Sequence, residues 1–261
     1  MTYFSYSNNL LKSEGVEIQK IAEDRSTPFY CYSKKAITEN YNNFSNSFKN
    51  IDVKICFSLK SNSNLSILKI LSNLGAGADV VSEGELKKAL KANIEANNIV
   101  FSGVGKTEEE ISFAIKNHCL QINVESLSEL NRVNTIAGNV GNKQKVALRI
   151  NPDVDPNTHG KITTGKSENK FGISVKDAFD IFKNSDEYKN IILDGIAFHI
   201  GSNINEIKPF EDSFQTTSDL LQNLSDINVP IETIDVGGGV GIENVNFSYA
   251  DYSNLISKYF D

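Results

Sequence analysis

The chain has 261 residues and a formal net charge of -7; 39% of its residues are hydrophobic and 23% are charged. This is the composition of an ordinary globular protein, and the length allows one or two domains or a single α/β barrel of roughly 250 residues. The acidic charge disfavours nucleic-acid binding, and no apolar run approaches the ~20 residues that a membrane span requires.

The cysteines and the N-terminus indicate the compartment. Three cysteines, an odd number at wide spacing, are typical of a reducing cytosol and do not form a zinc cage. The first residues lack the basic start and apolar stretch of a secretory signal, so a cytoplasmic protein is expected.

The elements follow one another in a regular order. Segment 1–28 is expected to be irregular or partly helical, and Phe29–Tyr32 is predicted to form a short lead-in strand. After it, short β-rich runs alternate with helical patterns. The predicted strands are Val53–Leu59, Ala78–Val81, Asn98–Phe101, Gln121–Val124, Lys145–Ile150, Leu193–Ile200 and Thr233–Val236. The predicted helices are 64–74, 83–92, 107–117, 126–137, 175–184, 209–225 and a last one beginning near Tyr249.

Repeated βα units predict a parallel sheet with helices outside it, as in a (β/α)8 barrel. Only seven units follow the lead-in strand, whereas eight parallel strands close such a barrel. Three explanations stay open: an overlooked unit, closure by the lead-in strand, or a chain that ends before the eighth unit. The loop from Asn151 to Gly172 is long for a βα connection, which is typical of functional or disordered loops.

Functional residues of a parallel barrel lie at the carboxyl ends of its strands. In chain order the candidates are Lys60, Asp79 with Ser82 and Glu85, Ser102-Gly103, Glu125-Ser126, Arg149, His199 with Gly201 and Ser202, and Gly237-Gly238-Gly239. One edge of the predicted barrel thus holds a lysine, a histidine, an arginine, carboxylates and a glycine triplet.

Two of these candidates suggest a cofactor. The glycine triplet follows Ile-Asp-Val and is interpreted as a phosphate cradle, because glycine lets backbone N–H groups approach an anion; a flexible turn is the alternative. Lys60, at a strand end facing an apolar barrel top, is expected to be desolvated, which favours the free amine of Schiff-base chemistry. A solvated surface lysine is the alternative.

His199 alone would be interpreted as a hydrogen-bonded core histidine. With Ser202 three residues on and the glycine triplet one strand away, stacking on a flat cofactor becomes the preferred interpretation. His118 and His159 are expected on the surface or in loops, and no metal site is expected, because no His, Cys and carboxylate residues cluster. Lysine, cradle and histidine together describe a site for pyridoxal phosphate (PLP).

Several motifs extend this interpretation. They are Thr27–Tyr32, Phe57–Asn64, Gly77–Leu86, Arg149–Asp155, Thr158-His159, Thr163–Gly165, Asn169–Gly172, His199–Ile204 and Gly237–Gly241. With them the chain resembles the N-terminal barrel of the alanine-racemase-fold, PLP-dependent decarboxylases. The Asn-Pro-Asp-Val-Asp and Asn-Lys-Phe-Gly segments are typical of the branch that acts on diaminopimelate.

The resemblance implies a role for each rim residue. Lys60 would bind PLP covalently, His199 would stack on its ring, and Asp79 and Arg149 would form a polar pair with Glu85 close by. The phosphate would be bound by Ser202, Gly237, Gly238 and Gly239. Lys60 and His199 are therefore the expected catalytic residues.

Three motifs that the family carries do not occur here: Glu-Pro-Gly-Arg after the last barrel strand, Cys-Glu-Ser in a C-terminal β-domain, and a tyrosine for the phosphate. The expected fold is an α/β, PLP-binding (β/α)8-type barrel without its last βα unit and without the β-domain. Residues 1–28 are expected to be a lead-in segment that packs with the β-domain in complete members, and 29–261 the barrel domain.

The expected reaction is decarboxylation of meso-2,6-diaminopimelate to L-lysine and CO2, by a homodimer in complete members. This chain alone is expected to turn over weakly or not at all. The alternatives are a single-domain barrel that binds PLP without catalysis, a non-functional fragment, and a decarboxylase of another basic amino acid.

Overall fold

A computed structural model of the chain describes residues 3–154 and 171–260. Its first elements form a small antiparallel sheet in the order β1 (Phe4–Ser7), β2 (Leu10–Ser13) and β3 (Val16–Glu17). Helix α1 (Ile18–Asp24) follows at once. The expectation of an irregular or partly helical segment 1–28 is therefore right for the helix and wrong for the strands.

Two tight turns make this small sheet. Asn8 and Asn9, with φ of 52° and 61°, join β1 to β2, and Glu14 and Gly15, with φ of 51° and 84°, join β2 to β3. Two-residue loops with both residues at positive φ are the hairpin turns that Asn and Gly favour. All of β1 is exposed, so the strand carries little of the burial pattern on which strand prediction depends.

The predicted lead-in strand at Phe29–Tyr32 is wrong, because this segment is irregular and belongs to neither sheet. Tyr30 is 90% exposed and Tyr32 is 52% exposed, while Phe29 and Cys31 are half-buried, so no residue of the run is fully buried. Helix α2 (Lys34–Asn46) follows, with the side chain of Ser33 accepting the Ala36 N–H. The sequence patterns did not indicate this helix, and the lead-in segment does not close the barrel.

The main sheet is parallel, and its strands lie in chain order. They are β4 (Cys56–Ser58), β5 (Gly77–Val80), β6 (Ile99–Phe101), β7 (Gln121–Val124), β8 (Gln144–Asn151), β10 (Ile191–Ala197) and β11 (Thr233–Asp235), while the short β9 (Ile173–Ser174) pairs with the end of β8. All seven predicted strands are present. Within the described ranges β4 and β11 do not pair with each other. The expected (β/α)8-type fold lacking its eighth unit is thus confirmed.

Helices cover the outside of the sheet. They are α3 (Leu65–Asn73), α4 (Glu83–Lys91), α5 (Glu108–Lys116), α6 (Leu127–Val140), α7 (Val175–Lys183), α8 (Lys208–Asp226) and α9 (Tyr249–Phe260). Polar side chains cap the first five: Asn64, Ser82, Thr107, Ser126 and Ser174. Each accepts a backbone N–H of the first helical turn, which stabilises a helix by about 1 kcal/mol.

A continuous hydrophobic core lies between the sheet and these helices. At its C-terminal end, Phe210 and Phe214 of α8 pack on Tyr252 of α9 and Phe198 after β10, with ring centroids 5.0 to 6.1 Å apart. Each fully buried aromatic side chain contributes roughly 1.5–3 kcal/mol. None of the helices in the described residues is long and apolar enough to cross a membrane.

Candidate active site

The carboxyl ends of the parallel strands meet at one edge of the sheet, which we call the rim. The rim brings together Lys60 after β4, Asp79 in β5, Arg149 in β8, His199 after β10, and Gly237–Gly239 after β11. The strand register supports this placement, since Ala197 of β10 lies beside both Arg149 and Asp235. Residues 155–170 of the long loop, with His159, lie outside the described residues, and His118 is exposed as expected.

The glycine triplet forms a backbone-lined cradle. Gly237 has φ +68°, and a Cβ there would lie 2.5 Å from the carbonyl oxygen of Phe198. Gly239 has φ +99°, and a Cβ there would collide with the carbonyl oxygen of Gly201. At Gly238 nothing lies within 4 Å. The flanking glycines therefore pack tightly, while the space beside Gly238 is open and lets an anion approach the backbone.

The loop after β10 is bound to this cradle. The N–H of Ile204 donates to the Gly239 carbonyl at 2.9 Å, and the N–H of Gly241 donates to the Ile204 carbonyl at 2.9 Å. Ile204 and Val240 also form a parallel bridge. Ser202 is exposed on the same loop, two residues before Ile204.

His199 is half-buried at the open end of the barrel that the rim surrounds, which we call the mouth. Its Nδ1 accepts the N–H of Gly238 at 3.4 Å. Burial, with the nearby positive charges of Arg149 and Lys60, lowers the pKa of the His199 imidazole to about 4, and Asp79 opposes the shift. The ring is therefore uncharged at neutral pH, and Nε2 carries the proton.

Lys60 is exposed. The prediction that its side chain is desolvated is therefore wrong for the protein without a ligand. The reason is local: Lys60 follows an edge strand, so only one neighbouring strand covers it. Its amine remains accessible to a small molecule at the mouth.

The expected polar pair between Asp79 and Arg149 is also wrong. Arg149 Nη1 binds Glu125 Oε1 at 2.6 Å, while Asp79 Oδ2 accepts the hydroxyl of Ser58 at 2.9 Å. Glu85 accepts the N–H of Val81 at 2.9 Å instead of joining them. Asp79 Oδ1 is buried and has no hydrogen-bond partner in the described part of the chain.

Below the mouth, the barrel interior is polar, which sequence reasoning missed. Asn123 donates to Asp235 Oδ2 at 2.8 Å, Gln121 donates to Asn123 at 2.7 Å, and Thr233 donates to Gln121 at 2.9 Å. Asp235 Oδ1 accepts the Gly237 N–H at 2.9 Å, and burial raises the pKa of Asp235. Polar residues alternating with apolar ones along β7 were the available signal. The network anchors the cradle to the sheet.

These residues fit a flat, phosphorylated aldehyde such as PLP. The cradle offers a backbone surface without side chains to a phosphate, His199 offers a neutral ring, and Lys60 offers an amine. The unpartnered Asp79 Oδ1 leaves one buried acceptor for a donor on a ligand. Within residues 3–154 and 171–260, no group of three or more His, Cys, Asp and Glu side chains could hold a metal ion.

Comparisons with known proteins agree with this geometry. The model of the family described as "Pyridoxal-dependent decarboxylase, pyridoxal binding domain" matches residues 34–261. The chain is 39% identical over 259 residues to diaminopimelate decarboxylase of Haemophilus influenzae, covering 98% of this chain and 62% of that protein. It is 40% identical over 241 residues to that of Aquifex aeolicus, covering 92% and 57%.

Solved structures show the same similarity. Helicobacter pylori diaminopimelate decarboxylase complexed with L-lysine matches with TM-score 0.87 and 38% identity, covering 93% of this chain and 62% of that one. The M. jannaschii enzyme in co-complex with L-lysine matches with TM-score 0.88 and 34% identity, covering 98% and 62%. The chain thus spans about three fifths of the length of these relatives.

Proposed function

Because this chain belongs to the pyridoxal-dependent decarboxylases through their pyridoxal-binding domain, we propose that it forms the cofactor-binding part of a diaminopimelate decarboxylase. The reaction removes one carboxylate of meso-2,6-diaminopimelate and releases L-lysine and CO2. The names of the relatives support this reaction, as do two neighbours that hold L-lysine. The observation that carries the proposal is the meeting of Lys60, His199 and the glycine cradle at one mouth.

Each rim residue has a chemical task in this proposal. Lys60 binds the cofactor aldehyde through its amine. Ser202 and the Gly237–Gly239 cradle bind the phosphate. Without a ligand the N–H groups of Gly237 and Gly238 donate to Asp235 and His199, so the Gly239 N–H is the one that the described residues leave open to an anion. When bound, PLP supplies the electron sink for the electron pair that the leaving carboxylate releases.

His199 orients the cofactor ring by stacking on it. Since the pKa of His199 is about 4, its imidazole presents a flat, uncharged face. The Gly238 N–H, 3.4 Å from Nδ1, links the orientation of this ring to the phosphate cradle. Asp79 and Arg149 complete the mouth with one charge of each sign.

The rest of the chain supports a modular arrangement. We assign residues 1–28 to a lead-in segment that packs with a further, β-rich domain, and residues 29–261 to the barrel domain. The β1–β3 sheet does not join the main sheet, and Phe4, Tyr6 and Val16 on it are exposed by 39%, 76% and 51%. We further propose a cytoplasmic homodimer as the working assembly of the complete enzyme.

Cofactor labelling tests the site. The purified chain is mixed with PLP, its visible absorbance is recorded, and the bound cofactor is fixed with borohydride before peptide mapping. We expect a single label on Lys60 that disappears in Lys60→Ala. Lys69→Ala, which removes an exposed lysine of α3, is the matched control and should keep the label. A label spread over many lysines, or one that survives Lys60→Ala, contradicts the proposal.

Substrate addition tests the reaction class. We expect meso-diaminopimelate, and not L-ornithine, to change the absorbance of the loaded chain, with slow CO2 release because the Glu-Pro-Gly-Arg and Cys-Glu-Ser motifs are absent from it. A response to L-ornithine alone would favour another basic amino acid. Labelling of Lys60 with no response to either amino acid would favour a barrel that binds PLP without catalysis.

A further inference from the structure

A second group of charged side chains lies on the rim beside the proposed cofactor pocket. It consists of Lys106, Glu125, Glu129 and Arg149, and we call it the rim network. It contains two positive and two negative charges, with a cation at each end and the two carboxylates between them, and three of the four residues are at least nine-tenths buried. Nothing in the proposed chemistry uses Lys106, Glu125 or Glu129.

Lys106 anchors the network. Only 3% of this residue is exposed, and burying an ammonium group is costly unless it is fully bonded. Its Nζ donates to the carbonyls of Gly103 at 2.6 Å and Asn123 at 2.7 Å and to Glu129 Oε1 at 3.0 Å. All three ammonium hydrogens therefore have acceptors, and the side chain joins the ends of β6 and β7 to α6.

The anchor fixes Glu125. The second oxygen of Glu129 accepts the backbone N–H of Glu125 at 2.7 Å. The Lys106–Glu129 pair therefore fixes the backbone from which the Glu125 side chain extends. Glu125 Oε1 then binds Arg149 Nη1 at 2.6 Å. Because Glu125 is 9% exposed, this ion pair is shielded from water. Its electrostatic attraction is therefore stronger than that of a pair on the surface.

Arg149 is held from a second side as well. The ring of Phe171 lies 5.6 Å from Arg149 Cζ, a cation–π distance. Gly172, with φ +98°, packs so closely on β8 that a Cβ there would lie 2.9 Å from the Arg149 carbonyl oxygen. The guanidinium is thus confined between a carboxylate and an aromatic ring, at a place where its charge acts on His199.

We propose that Glu125 is a positioning residue, which holds the Arg149 guanidinium at the mouth beside His199. It acts through Arg149 and touches no reacting atom. The Lys106–Glu129 pair maintains Glu125 in turn. The value of this arrangement for cofactor binding rests on the proposed function, whereas the arrangement itself can be tested without a cofactor.

The titration of His199 in the cofactor-free chain is the primary test. Three charged groups act on this imidazole: Arg149, Lys60 and Asp79. Removing the Glu125 carboxylate alone would lower the pKa of His199, because a negative charge is lost. If Glu125→Ala also releases Arg149 from the mouth, the pKa of His199 rises instead, by about half a pH unit or more. The sign of the change therefore distinguishes positioning from simple loss of charge.

The experiment uses NMR of histidine-labelled chains, in which only three imidazoles titrate and His118→Gln and His159→Gln identify the other two. Glu125→Ala should raise the His199 pKa, and Glu125→Gln, which keeps an acceptor for Arg149, should restore most of the original value. Glu232→Ala is the matched control, because it removes an ion pair of 2.8 Å with Lys145 at the opposite end of β8. It should leave His199 unchanged.

A double variant makes the test decisive. In the Arg149→Ala background, Glu125→Ala should no longer raise the His199 pKa. A fall or no change with Arg149 present, or an equal rise in its absence, overturns the proposal. As a second readout, Glu125→Ala should weaken PLP binding by about fivefold or more. If the wild-type chain binds no PLP, the proposed function fails, while the His199 titration still decides the role of Glu125.

Discussion

At the scale of single residues, the site depends on glycines, whose lack of a side chain lets the backbone pack closely. The cradle exists because Gly237 and Gly239 adopt positive φ and lie against the loop after β10. The place of the glycine triplet at the end of a strand could be predicted from the sequence, and its role in phosphate binding stays a prediction. The partner of Arg149 was predicted wrongly, from the family resemblance, although the strand order held the signal: Asp79 belongs to β5, three strands away from β8, whereas Glu125 follows the adjacent strand β7. Side chains that follow adjacent strands lie close enough on the rim to form an ion pair.

Gly239→Ala should destabilise the chain by about 1–3 kcal/mol, because the new Cβ meets a carbonyl oxygen and alanine resists positive φ. Gly238→Ala is the control, since nothing lies within 4 Å of a Cβ there, and its effect should stay within about 0.5 kcal/mol. Urea unfolding of both variants measures the difference. Equal stabilities would show that the cradle tolerates side chains at both positions.

At the scale of elements, the sequence predicts the repeated βα units but does not predict the elements outside them. The seven strands of the main sheet follow from β-rich runs that alternate with helical spacing. The β1–β3 sheet and α2 were missed, because β1 is wholly exposed and α2 has no fully buried residue. Phe29–Tyr32 has the composition of a strand without a neighbour to pair with.

The two edge strands should be the least protected parts of the main sheet. β4 and β11 each have one neighbour, whereas β7 is paired on both sides, so local opening costs less at the edges. We expect backbone amides of β4 and β11 to exchange with deuterium about tenfold or more faster than those of β7. Peptide-resolved exchange would reveal the gradient, and uniform protection across the sheet would contradict it.

At the scale of the whole molecule, fold and family membership were predictable, and the resemblance to the decarboxylase family is confirmed by the family match over residues 34–261. The acidic charge of the chain, -7, is carried in part by carboxylates in ion pairs. Lysine partners lower the pKa of Glu17, Glu211 and Glu232. Because the pKa of each of these groups, and that of His199, is lower in the folded chain, the free energy of unfolding falls as the pH falls.

Acid should weaken the fold through His199. Its pKa is about 4 when folded against 6.5 ordinarily, so the unfolded chain binds the proton more readily. The corresponding stability, about 3 kcal/mol, is fully present above pH 6.5 and is lost as the pH falls toward 4. Unfolding free energies of the wild type and His199→Gln, measured from pH 7 to pH 4.5, should fall more steeply for the wild type. Parallel curves would exclude this contribution.

The order of the main sheet has a consequence for how the chain acquires its structure. From β5 to β11, each strand along the main sheet pairs with the main-sheet strand before it, and only the short β9 lies off this path. Each pairing spans one crossover, from 21 residues between Cys56 and Gly77 (77 − 56) to 47 between Gln144 and Ile191 (191 − 144). These loops are longer than a hairpin, so each pairing closes more slowly, but each involves only one new βα unit. During synthesis, each new strand therefore meets a partner that has already left the ribosome, and the sheet can grow from β4 toward β11 one unit at a time.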